Sequence, residues 1–336
     1  MSAAAVVLAA SLFAATGASA LLTAAWIGLA RRRNVVDEPG QRRLHAQSTP
    51  RGGGIAMALV LLAAWAWLLF DLPTPMTAWL ALGTAVAAGT GLADDLLAMP
   101  SVAKLLGQMI AAAAIALALP WPGLATGAGV GVAWVFALVL LNFWNFMDGA
   151  NGMVVVQTAV VAAAFAWLSS DAAATLVAWV ALAACVGFAP FNLPRARVFM
   201  GDAGSHVLGA TVAILGLWAL RRGDARPAQV ALLVSAFVID AGLTLAKRIL
   251  QGRRFWRAHR EHLYQLAVRR GHSHSGVCMA YAGWAILCAW LALGLGARGT
   301  FEGAAAATAV GLLGATTWVV LRRHWLRRDT RMDAST

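Results

Sequence analysis

The chain has 336 residues, 61% of them hydrophobic and only 12% charged, with a formal net charge of +12. Soluble domains carry about a quarter charged residues, so the composition excludes a stack of soluble domains and points to a single membrane domain over residues 1–336. The positive balance alone would suit nucleic acid, but membrane proteins gather basic residues in the loops of one side. Where the charges fall therefore decides between the two.

A bilayer crossing needs about 20 apolar residues. Eleven candidate segments run in order at 4–30, 54–70, 77–93, 103–120, 127–145, 154–169, 173–190, 206–220, 228–248, 277–297 and 302–321. The first has a leader-like Gly17-Ala18-Ser19-Ala20, but no basic stretch precedes it and Arg31-Arg32-Arg33 follows it directly. It reads as a retained span with its N-terminus outside. The odd count then places loops 31–53, 94–102, 146–153, 191–205 and 249–276 on one side, with a C-terminal tail at 322–336. Every Lys and Arg falls there, boundary residues included, except Arg221, Arg222, Arg226 and Arg298. That side is expected to be cytoplasmic. Because the basic residues are spread over separate loops, orientation and attraction of anionic lipid explain them better than nucleic acid. The expected fold class is all-α: a polytopic membrane helix bundle of about 11 transmembrane helices, C-terminus cytoplasmic. Cys185, Cys278 and Cys288 lie in apolar runs and read as small core residues. The Ala-rich stretches at 111–119 and 304–308 read as close helix-packing segments.

The polar constellations come next in chain order. Asp37 to His45, then Ser48-Thr49-Pro50-Arg51-Gly52-Gly53-Gly54, is a glycine-rich loop without the Lys of a P-loop. Gly91-Leu92-Ala93-Asp94-Asp95 ends a span on two adjacent carboxylates, which need a cation, a proton or water beside them. Asn142 to Gly152 sets three amides and Asp148 around two glycines, a pattern suited to a nucleoside or to metal support. Phe191 to Ser205 breaks any continuous helix and joins Arg195 and Arg197, suited to diphosphate oxygens, with Asp202, suited to a hard cation. Ser205 is placed to cap the following helix. Asp240 lies inside the ninth segment, where a carboxylate is a functional candidate by default. Arg257 to Gln265 carries His259 and His262, with His272 and His274 beyond. The i, i+3 spacing of His259 and His262 would put them on one helix face, for zinc or, better in these basic surroundings, for phosphate. Trp65, Trp79, Trp121 and Trp325 read as interface anchors or packing residues.

Together these five loops resemble the polyprenyl-phosphate N-acetylhexosamine-1-phosphate transferase superfamily (glycosyltransferase family 4), over about Asp37 to His274. The resemblance implies transfer of an N-acetylhexosamine-1-phosphate from a UDP-sugar to undecaprenyl phosphate, with release of UMP, in a bacterial inner membrane. It implies Mg²⁺, with Mn²⁺ as a substitute, held by Asp202 with Asp148. It implies Asp94, Asp95, Asp148 and His262 as catalytic residues. Lys104, Asn145, Asn192 and Phe199 are implied in substrate binding; Asn151, Arg195, His259 and Arg260 join them as candidates from the residues of the same loops, and a homodimer is compatible with the resemblance. Lipid I synthases of the same superfamily carry three histidines where this chain has His262-Leu263-Tyr264-Gln265, and a Lys where it has Ala98. Asn151 stands in place of a second acid. The chain is thus more similar to the branch that initiates O-antigen, with lipid I synthesis as the alternative. A transporter built around Asp240 is the rival from another class, set against the gathering of polar residues on one face.

Overall fold

A computed structural model describes residues 3–37, 48–253, 259–295 and 300–332 of the protein, and side chains only between 9 and 325. Glu38 to His45 and Arg257 of the quoted loops lie outside the described residues.

The regular structure of the described residues is helical apart from one short ribbon, β1 (Val36–Asp37) paired antiparallel with β2 (Thr49–Pro50). The helices are α1 (Ala3–Arg32), α2 (Ile55–Asp71), α3 (Pro75–Leu97), α4 (Ser101–Ala118), α5 (Thr126–Phe146), α6 (Met153–Leu168), α7 (Ala172–Asn192), α8 (Gly201–Arg222), α9 (Pro227–Leu250), α10 (Leu263–Arg269), α11 (His274–Leu295) and α12 (Thr300–Met332). Eleven of them are apolar and match the eleven expected segments one for one. Nine are long and apolar enough to cross a membrane. The other two, α2 and α6, have 17 and 16 residues, a length of roughly 25 Å at about 1.5 Å per residue. The short α10 was not among the expected elements.

Local chemistry sets the boundaries. Thr74 caps α3 reciprocally with Thr77, and Pro75 opens the helix. Asp171 caps α7 by accepting from the N–H groups of Ala173 (3.0 Å) and Ala174 (3.1 Å). Asp224, at the same end, accepts from Ser170. The apolar helices run alternately from one end of the bundle to the other. At one end Arg221 donates to the Ala118 carbonyl, and Gln229 to that of Ala292. The other end carries the polar loops.

Helix α8 is the axis: Ala203 to Leu220 are all buried, as expected of a helix apolar on every side. It packs chiefly on α3 and α5. Gly91 of α3 makes the first crossing possible, because a Cβ there would collide with the backbone of Asp202 and Ala203. Ala111, Ala112, Ala114, Ala116 and Ala118 of α4 are buried as expected, whereas 304–308 are exposed or half-exposed. Trp65 is buried and stacks on Trp218, which makes it a packing residue.

Two expectations are corrected. The eighth helix begins at Gly201, so Asp202 sits in its first turn rather than before it. Ser205 is inside that helix and donates to Asn145 Oδ1 (3.1 Å) instead of capping. Residues 322–332 are helical and continue α12.

Candidate active site

The first glycine loop and the third polar loop are laced together by backbone. Phe199 N–H donates to the Pro50 carbonyl (2.8 Å), Gly53 N–H to that of Phe199 (2.9 Å), and Gly54 N–H to that of Met200 (2.8 Å). The chain then turns into α8 at Gly201, whose φ of +74° favours glycine and whose Cβ would meet the Asp95 carboxylate. The turn aims the first N–H groups of α8 at Asp95, with Asp202 N–H and Ala203 N–H each donating at 3.0 Å. A carboxylate at a helix N-terminus is favoured by the unsatisfied N–H groups and by the helix dipole. Asp95 is buried, and Arg51 stands 3.6 Å from it.

Asp94, the neighbouring residue, has a different partner. Lys104 Nζ donates to Asp94 Oδ2 (2.8 Å) and to Asp202 Oδ2 (2.6 Å), bridging α3 and α8 from α4. Asn145 approaches the same Asp202 oxygen at 3.5 Å. His206, one turn along α8, lies 3.8 Å from it and shares a hydrogen bond with Gln108 (2.9 Å).

Asp148 follows α5 in a short loop. Burial pushes its carboxyl well above the usual range, repulsion from Asp202 and Asp95 adds to this, and a bond from the Gly201 N–H opposes it. Asn192 braces this loop to the third, accepting from Gly152 N–H (2.6 Å) and donating to the Val198 carbonyl (2.9 Å). Both ends of that amide are thus engaged by backbone. Asn151 bridges outward: its N–H donates to His274 Nδ1 (3.3 Å) and its side chain to the Pro194 carbonyl (3.4 Å).

His262 is buried between the rings of Phe146 (6.1 Å) and Tyr264 (5.9 Å). Burial holds its pKa below the ordinary histidine value, against the pull of Asp240. His259 lies 4.9 Å from it, ring to ring, and is pushed down to about 4 by burial and by His262. Neither is on a helix; both precede α10, so the shared helical face is corrected to a ring contact in the loop. Glu261 between them is held below its ordinary value, although its partial burial pushes upwards, because Arg248 and Arg253 face it.

These elements enclose a cavity of about 660 Å³ at the polar end. Of the expected residues, Asp94, Asp95, Asp148, Asn151, Asn192, Arg195, Phe199, Asp202 and Arg260 line it. Lys104 and Asn145 reach it through Asp202, while His259 and His262 do not line it and lie behind. The cavity also takes in Arg51, Gln265, Arg269 and His274, to which the sequence reading gave no site role. The Pro-Arg-Gly run carried a signal for Arg51; nothing in the sequence singled out Arg269. Among the described residues no three metal-type side chains form a ready cage. A hard cation nevertheless fits the donor set, because Mg²⁺ commonly takes one or two carboxylates and completes its shell with water and substrate phosphate. The Lys104 ammonium, seated between Asp94 and Asp202, marks the place where the protein already holds positive charge.

The model for glycosyl transferase family 4 matches residues 77–220, from α3 to α8. Over that stretch the chain is similar to this family. Its similarity to curated proteins extends further than the matched region. The decaprenyl-phosphate N-acetylglucosaminephosphotransferase of Mycobacterium leprae is 28% identical over 302 residues, covering 76% of this chain and 75% of the relative. A probable undecaprenyl-phosphate N-acetylglucosaminyl 1-phosphate transferase of Bacillus subtilis is 24% identical, covering 73% of each. The phospho-N-acetylmuramoyl-pentapeptide-transferase of Saccharopolyspora erythraea is 26% identical, covering 75% of this chain and 81% of the relative. The protein is a transferase and a multi-pass membrane protein. The family match holds the acidic cluster, Lys104 and the amide loops, and stops before the histidine loop.

Proposed function

We propose that the protein transfers N-acetylhexosamine-1-phosphate from a UDP-sugar to undecaprenyl phosphate, releasing UMP, as the first step of a surface polysaccharide such as O-antigen. The acidic cluster bridged by Lys104, in a cavity rimmed by arginines at one end of an apolar bundle, is the observation that carries this reading. The relatives' names supply the chemistry: a polyprenyl phosphate accepts a sugar phosphate.

In the reaction an oxygen of the lipid phosphate attacks the sugar-bearing phosphorus of the UDP-sugar. The bond from that phosphorus to the bridging oxygen breaks, and UMP leaves with the electron pair. Both partners are anionic, so the residues must gather positive charge and orient the oxygens. Arg51, Arg195 and Arg260 are placed for phosphate. Phe199 offers a ring to the nucleobase, and Asn151 and Asn192 shape that side of the cavity. Asp94, with its side chain 13% exposed against 3% for Asp95, is suited to position the lipid phosphate. Asp202 and Asp148 would hold Mg²⁺, or Mn²⁺. The ion would neutralise diphosphate charge and stabilise the leaving group. The reacting end would face the cytoplasm of a bacterial inner membrane, where the basic loops gather.

The test is a panel of UDP-sugars, including UDP-N-acetylmuramoyl-pentapeptide, with undecaprenyl and decaprenyl phosphate, read by UMP release and lipid mass. UDP-N-acetylhexosamines should turn over, and Asp202→Asn should abolish turnover in a folded protein. Turnover of the pentapeptide donor alone would replace this reading with lipid I synthesis. Trapping of a phosphorylated Asp94 without lipid acceptor would replace direct attack with a covalent route.

A further inference from the structure

Asp240 is 2% exposed within α9 and does not line the cavity. Five donors surround it. Leu263 N–H (2.7 Å) and Tyr264 N–H (3.3 Å) come from the start of α10. Tyr281 O–H (2.7 Å) comes from α11, Trp318 Nε1–H (3.1 Å) from α12, and Thr244 O–H (3.3 Å) from α9 itself. A carboxylate has about four lone-pair positions, so none is left for an ion or a substrate. That occupancy argues against a transported cation at this residue.

The bonds converge on one place. Asp240 fixes the first two N–H groups of α10, immediately after His262. Tyr264, held through its backbone, sends its hydroxyl to the Phe146 carbonyl (3.0 Å), between Asn145 and Asp148. Gln265 supports that hydroxyl at 3.2 Å. On the other side of His262, Glu261 is tied to Arg248 of α9 and to Arg322 of α12. His262 is thus mounted between two fixed points, and its ring is flanked by Phe146 and Tyr264.

We infer that Asp240 is a positioning residue for the transfer reaction: it docks the start of α10, and through Tyr264 it sets both His262 and the Asp148 loop. The inference rests on the transferase reading, and it assigns a role to a residue outside the cavity. Asn is a poor substitute, since its NH₂ must face donors whichever way it turns. Three full-length variants in nanodiscs test it: Asp240→Asn, Tyr264→Phe and the double variant. Each is measured for kcat and KM per folded molecule, and for amide hydrogen exchange by segment.

Asp240→Asn should lower kcat at least about tenfold, as misplacement of reacting groups does, with KM for the UDP-sugar changed less than about threefold. Exchange should rise across 259–266 and not at the opposite end of the bundle. Tyr264→Phe should lower kcat in the same direction, and the double variant should be no worse than the poorer single one, because both act through one linkage. A kcat within twofold of wild type for Asp240→Asn, with only a lowered melting point, would overturn the inference and leave Asp240 as bundle glue. If Asp240→Asn does not fold, Tyr264→Phe decides on the same criterion. If the wild type turns over no UDP-sugar, the transferase reading fails separately, and the exchange pattern alone decides whether Asp240 docks the loop.

Discussion

Adjacent residues on one helix carry unequal burdens in this site. Asp95 is spent on the first turn of α8, while Asp94 meets the Lys104 ammonium at the cavity wall. Removing the charge should therefore separate folding from chemistry. Asp95→Asn weakens two charge-assisted bonds worth about 1.5–3 kcal/mol each, so it should lower both the melting midpoint and the activity. Asp94→Asn should leave the midpoint near wild type and remove most turnover. Thermal melts beside UMP release check this, and equal effects of the two substitutions on stability would contradict the division. The sequence made both aspartates candidates but could not divide their roles. The division depends on Gly201 turning the chain so that α8, over a hundred residues later, aims its N–H groups at one carboxylate.

At the scale of elements, the periodic apolar segments were legible and the loops only partly so. Each of the eleven segments became a helix because a long apolar run in lipid has to satisfy its backbone internally. The i, i+3 spacing of His259 and His262 suits a helix face or a loop equally well, and the loop wins because α10 starts only at Leu263, where Asp240 accepts from the first N–H. Arg269 reaches the cavity because α10 lines it, together with Gln265. The loop has its own pH signature. His259, held at about 4, is disfavoured as a cation in the folded protein, whereas an unfolded histidine titrates near about 6.5. Its contribution to stability is complete above about 6.5 and is lost as pH falls towards 4. His262 acts in the same direction, Glu261 enters only below its ordinary 4.5, and Asp148, with its raised pKa, has the opposite sign. The informative quantity is thus the difference between wild type and His259→Gln. The fall in melting midpoint between pH 6.5 and 4 should be smaller in the variant; an equal fall would remove His259 from the account. Gly91→Ala tests the crossing of α3 and α8. Its methyl would push against the Asp202 backbone, so activity should fall steeply even though alanine is a better helix former.

For the whole molecule, the winding of the bundle and its orientation in the membrane are separate questions with one shared experiment. Contacts at each end fix the winding: loops after α1, α3, α5, α7 and α9 share the cavity end, and those after α2, α4, α6 and α8 share the other. The distribution of Lys and Arg then favours the cavity end as cytoplasmic, which would put the start of α1 outside and the end of α12 inside. Leu124, exposed between α4 and α5, and Gln251, exposed at the end of α9, report on opposite ends. With buried Cys185, Cys278 and Cys288 replaced by Ala, a membrane-impermeant thiol reagent should label Leu124→Cys in intact cells. It should label Gln251→Cys only after permeabilisation. The reverse pattern would turn the reacting end outward, away from the UDP-sugar pool the proposed reaction needs. Labelling of both from one side would break the alternation itself, and α2 and α6, the two shortest apolar helices, would be the first candidates for not crossing.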